Sequence, residues 1–141
     1  MPQAAQDEDA PMPTFAAAAA PEAQVSAKRR SEAPIDHVHL ARYTFGNRAL
    51  EIEVLQLFAE QAPEYLDSLR HAATEKAWRD AAHTLKGSAR AVGAFRVAER
   101  AERAEALRAT PDAAARSRAL QALEDALHEA RQHIVALQAT A

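Results

Sequence analysis

The chain has 141 residues, 48% of them hydrophobic and 5% aromatic, with no cysteine and a formal net charge of -3. That length allows one ordinary domain with a core of Leu, Val and Ala, and the charge supplies no overall basic field for nucleic acid. Without cysteine, disulfides and thiolate metal sites are excluded.

Residues 1–33 are rich in alanine and proline and carry almost no large apolar side chains beyond Phe15 and Val25. Such a segment cannot bury enough surface to fold alone, so it is expected to be a disordered tail, with Lys28-Arg29-Arg30 a solvated charge cluster. The run Ala16 to Ala20 is too short for a membrane span and has no basic segment before it. A cytoplasmic protein without membrane contact is expected, folded over residues 34–141. Three glycines and little β-branched alternation favour an all-α domain.

From Pro34 to Phe45, the residues Ile35, Val38, Leu40 and Phe45 predict a short helix or turn packed on the end of a bundle, broken by Gly46. Asn47 is a candidate N-cap for a helix running to about Ala73, with Leu50, Val54, Leu57, Phe58, Tyr65 and Leu69 as its inward stripe. Pro63 removes a hydrogen bond inside that segment. Two helices meeting there is one reading; the apolar stripe on both sides favours a single bent helix. Thr74 is placed to cap the next helix, which ends near Val92 at Gly93.

In that third segment, at about 100° per residue, Leu85 lies about 200° round from His83. Trp78, Ala81, Ala89 and Val92 gather near Leu85, and this arc is predicted to be buried. Gly87, Arg90 and Lys86 fall on the His83 side, with Lys76 and Arg79 continuing the row in earlier turns. The spacing predicts an exposed histidine in a basic row with a glycine beside it. A neutral imidazole is a competent nucleophile near neutral pH; neighbouring cations disfavour its protonation and stabilise an incoming phosphoryl group. Gly87 costs about 1 kcal/mol relative to alanine in a helix, and the space it leaves would admit another protein's backbone or a phosphoryl group.

The segment from Ala94 to about Ala109 carries Phe95, Val97, Ala98, Ala101, Ala104 and Leu107 as its apolar members. Thr110-Pro111-Asp112 reads as a helix start, with a capping hydroxyl, a proline at the first helical position and an acid near the positive end of the dipole. The last helix shows Leu120, Leu123, Leu127, Ala130, Ile134 and Leu137 at three- and four-residue steps, a bundle seam. Four long helices joined by short turns predict an antiparallel up-down four-helix bundle with a short N-terminal helix.

The run His83-Thr84-Leu85-Lys86-Gly87-Ser88-Ala89 resembles the signature of the histidine phosphotransfer (HPt) domains of bacterial phosphorelays. The segment Leu57 to Leu66, the Val92-Gly93-Ala94 step and the Ala104-Glu105 pair are also similar to that family's pattern, so the resemblance spans residues 34 to 138. It implies that His83 accepts a phosphoryl group from a receiver-domain aspartate and passes it to another receiver. Lys86 is then the cation beside the phosphoryl group and Gly87 the small residue leaving space. Arg90 departs from the smaller polar residue of many relatives; it supports the phosphoryl group or alters partner choice. Lys76 and Arg79 are expected to contact the partner.

The implied partners are response-regulator receiver domains, including the receiver of a hybrid histidine kinase. The receiver supplies Mg2+, and no intrinsic cofactor is expected. No Gly-rich phosphate loop is present, so a phosphoryl carrier without autokinase activity is expected, and a monomer, since one chain supplies all four helices. Two rival readings are a non-catalytic helical adaptor and the phosphoacceptor module of a chemotaxis-type histidine kinase. His37 and His39 fall in a segment of weak order, and His128 and His133 diverge on a helix. Their spacing, with that of His71, predicts no metal site.

Overall fold

The computed structural model describes residues 33–107 and 112–140. The expected tail up to residue 32, together with Thr110 and Pro111, lies outside the described residues. The described residues form helices α1 (His37–Thr44), α2 (Arg48–Arg70), α3 (Glu75–Ala91), α4 (Phe95–Ala106) and α5 (Ala113–Ala139), with no strand among them.

α1 begins where the Asp36 side chain accepts from the backbone N–H groups of Val38 and His39 at 3.0 and 3.1 Å, filling donors that the first turn leaves free. Ile35 and Leu40 are buried as expected, but Val38 is 54% and Phe45 93% exposed. Phe45 ends the helix in the left-handed region at φ 53, and Gly46 follows at φ 77. That double left-handed turn leaves the Phe45 ring in solvent, away from the core predicted for it. His37, in a segment expected to be weakly ordered, is helical, and its Nε2 lies 2.8 Å from Nε2 of His133.

Asn47 caps α2 by accepting from Leu50 N–H at 3.1 Å. The helix runs unbroken through Pro63 and stops at Arg70, a few residues before the expected Ala73. Its buried stripe is Leu55, Phe58, Ala62, Leu66 and Leu69. Leu57 stands about 200° round from Leu55, so it and Leu50 are exposed rather than inward.

Thr74 caps α3, accepting from Ala77 N–H at 3.0 Å. At the other end, Ala94 N–H donates to the Ala89 carbonyl and Gly93 N–H to that of Arg90, a Schellman closure needing a left-handed residue. Gly93 supplies it at φ 81. A Cβ there would stand 2.7 Å from the Asp36 carbonyl oxygen, and the Gly93 carbonyl in turn accepts from Asp36 N–H at 2.8 Å. The turn that stops α3 therefore also docks the start of α1.

α3 packs on both α2 and α4, and α5 packs on both α2 and α4. Ala98, Ala101 and Ala104 of α4 and Ala82 and Ala89 of α3 are buried, and such small side chains let packed helices approach closely. Trp78 fills the neighbouring space, 2% exposed, its indole N–H donating to the Ala104 carbonyl at 2.7 Å. The Arg116 guanidinium of α5 covers its ring at 4.8 Å.

α5 starts two residues later than Thr110-Pro111 suggests. Asp112 is itself the cap, accepting from Ala114 and Ala115 N–H at 2.9 and 3.3 Å. Leu123, Leu127, Ala130 and Ile134 are buried along the seam, with Leu120 and Leu137 partly so. No helix among the described residues is long and apolar enough to cross a membrane.

Candidate functional site

Leu85 is fully buried, and removing such a side chain costs about 2–5 kcal/mol, so the roll of α3 is set by its core face. That roll puts His83, about half a turn round, on the surface: its side chain is 69% exposed. Trp78 and Ala104 then fix α4 beside α3, and the residue after Ala104 is Glu105. Its Oε2 lies 3.0 Å from His83 Nδ1 and its Oε1 2.7 Å from Lys86 Nζ. One carboxylate thus joins two α3 residues that are three apart, as expected for neighbours on one helix face.

The chemistry of this trio follows from what each group can donate. The Lys86 hydrogen bond, and the His83 hydrogen bond after it, outweigh desolvation and hold the Glu105 carboxyl below its ordinary 4.5. Glu105 is therefore an ionised, acceptor-only group near neutral pH. The bond to it must come from His83 Nδ1–H, so the neutral ring carries its proton on Nδ1 and its lone pair on Nε2. Ionised Glu105 thus favours one tautomer of the exposed ring, with the lone pair on Nε2.

The basic row predicted around His83 is interleaved with acids. Lys86, with a side chain only 14% exposed, is directed to Glu105. Lys76 Nζ lies 2.6 Å from Asp80 Oδ2, and Arg79 Nε 4.0 Å from Asp80 Oδ1. The Lys76 hydrogen bond lowers the Asp80 pKa more than desolvation raises it, with smaller contributions from Arg79 and His83. Arg90 reaches Glu102 of α4 at 3.7 Å. Gly87 is exposed, and a Cβ built on it meets nothing within 4 Å, so the surface beside the ring is open as the spacing predicted.

The structure thus brings His83 and Lys86 together through Glu105, sets Gly87 beside them, and leaves Lys76, Arg79 and Arg90 as exposed ion pairs along the same helix. Besides the Ala104-Glu105 pair, the alternating charges Arg96, Glu99, Arg100, Glu102, Arg103 and Glu105 assign Glu105 to a solvated face with spaced ion pairs; its side chain is instead only 18% exposed and turned to His83 and Lys86. Its contact with His83 spans 22 residues and depends on how α4 lies against α3, which no spacing within α3 reveals. Among the described residues, no group of three or more histidine or carboxylate side chains is placed to hold a metal ion.

A family model described as the Hpt domain matches residues 53–133, more than half of the chain and including His83, Lys86, Gly87 and Glu105. No curated protein and no solved structure matches the chain.

Proposed function

The chain belongs to the Hpt domain family, whose members carry phosphoryl groups on histidine in phosphorelays and interact with receiver domains, and we propose that His83 is the carrier here. The observation that carries this reading is the exposed His83 ring held through Nδ1 by ionised Glu105, which leaves Nε2 as the nucleophile.

In the forward step, Nε2 attacks the phosphorus of a receiver aspartyl phosphate. The N–P bond forms, the P–O bond to the aspartate breaks, and the aspartate carboxylate leaves with that electron pair. The imidazole becomes an imidazolium bearing the phosphoryl group, its Nδ1–H still donating to Glu105. The carboxylate stabilises the positive charge as it develops, as an acid partner does for an imidazolium elsewhere. The reverse sequence hands the group to another receiver, one being the receiver of a hybrid histidine kinase. Mg2+ is supplied by the receiver, where it neutralises the phosphoryl oxygens.

Lys86 serves in this scheme mainly by keeping Glu105 charged. Gly87 gives the partner room to approach, while Arg90, Lys76 and Arg79 exchange their exposed acids for the partner's and steer its docking. Residues 34–141 are the phosphotransfer domain, with the four long helices in antiparallel up-down order, acting as a cytoplasmic monomer without autokinase activity. The test is site mapping. Protein phosphorylated by a receiver and digested under alkaline conditions is expected to carry its phosphate on His83; phosphate on another histidine would overturn the assignment. Light scattering at micromolar concentration tests the monomer, which a dimeric main species would refute.

A further inference from the structure

His37 and His133 stand 96 residues apart and on different helices, yet their Nε2 atoms meet at 2.8 Å with ring centroids 5.1 Å apart and planes tilted by 47°. Both rings are partly buried. The site that uses His83 has no need of them. Two imidazole nitrogens at hydrogen-bond distance share one proton at most, so at least one lone pair always faces the other ring. We propose that His37 and His133 form a two-histidine site for a borderline divalent transition-metal cation, zinc being its representative, that ties α1 to α5.

Imidazole nitrogen suits this class of cation better than it suits magnesium or calcium. Bonds of about 2.0–2.1 Å in tetrahedral geometry place two ligand nitrogens about 3.3 Å apart, so the pair must open by about 0.5 Å. Small rotations about the soft χ2 torsions provide that. In the neutral pair, the shared proton moves to Nδ1 of the donor ring as the ion binds, with no net release. A pair carrying one extra proton releases it.

With no third protein ligand among the described residues, water completes the coordination. The ion is exchangeable and bound less tightly than in a four-ligand structural site. Its mechanical effect is local: beside Ile35, Leu40, the Asp36 to Gly93 hydrogen bond and the His39–Phe95 ring contact, the metal adds a cross-link from α1 to the seam helix.

The experiment is zinc chloride titration of the full chain, followed by imidazole NMR and thermal unfolding. One equivalent is expected to shift the His37 and His133 ring signals together. Zinc at about a hundred times its dissociation constant is expected to raise Tm by about 10 °C, reversed by a chelator. His37→Gln and His133→Gln each abolish the saturable shift, whereas His128→Gln and His71→Gln retain it. Should either pair variant fail to fold, the wild-type ring signals decide. Zinc that moves other histidines but not this pair, that binds equally to the pair variants, or that does not bind at all overturns the proposal.

Discussion

Glu105 of α4 accepts from Nδ1 of His83 on α3 at 3.0 Å, while its other oxygen holds Lys86 at 2.7 Å. The contact fixes which imidazole nitrogen donates and, in the proposed carrier, would supply negative charge where the phosphorylated ring becomes positive. Replacing Glu105 by alanine is expected to slow phosphoryl transfer from a receiver by about 10- to 100-fold, with helical content unchanged. Glu105→Gln keeps an acceptor but loses the charge, so its rate falls between the two. Stopped-flow transfer with each variant checks this ordering; equal rates for all three contradict it.

Lys86 meets Glu105 at 2.7 Å and is the largest cause of its lowered pKa, so the proposed role of Lys86 carries a pH signature. The Glu105 pKa is depressed in the folded protein; its stabilising contribution is complete above the ordinary carboxylate value and is lost as pH falls through the lower folded one. Lys86→Met removes the largest cause of that depression. The Glu105 carboxyl, followed by carbon NMR, is expected to titrate higher in Lys86→Met than in wild type, and the acid loss of transfer activity moves up with it. An unmoved carboxyl titration would detach Lys86 from this role.

Gly87 and Gly93 separate two uses of glycine. A Cβ on Gly87 meets nothing within 4 Å, so Gly87→Ala is expected to raise stability by up to about 1 kcal/mol through helix propensity, yet to slow transfer by crowding the partner. Denaturant midpoints and transfer rates on the same samples check the opposed signs, and a variant that gains stability with no slowing removes Gly87 from the docking face.

Gly93→Ala meets both a left-handed backbone at φ 81 and the Asp36 carbonyl at 2.7 Å. A loss of about 2 kcal/mol or more is expected, seen as a lower denaturant midpoint. Hydrogen exchange should rise first in α1, which that turn docks. A midpoint equal to wild type would contradict the close packing of the turn.

The helices were legible because their signals are local. Asn47, Thr74 and Gly93 are read from a few residues each, and the exposure of His83 follows from the buried arc through Trp78 and Leu85. The departures have three causes. Local backbone geometry moves Phe45 and the α5 cap: a left-handed cap exposes the first, and Asp112, two residues past Thr110, takes the capping role. Leucine identity alone predicts Leu50 and Leu57 inward, but the roll of α2 set by Leu55, Phe58 and Ala62 turns them out. Glu105 and the His37–His133 pair depend on contacts between helices distant in sequence, which periodicity does not encode. Thus the exposure of His83 is readable from α3 alone, and the carboxylate that meets its ring is not.

The most direct test of the central claim is transfer from a panel of magnesium-bound, phosphorylated receiver domains to wild type and to His83→Gln. Acid-labile, base-stable label on wild type and none on a folded His83→Gln protein is the predicted result. Equal labelling of both proteins, or a folded wild type that takes no label from any receiver, would contradict it.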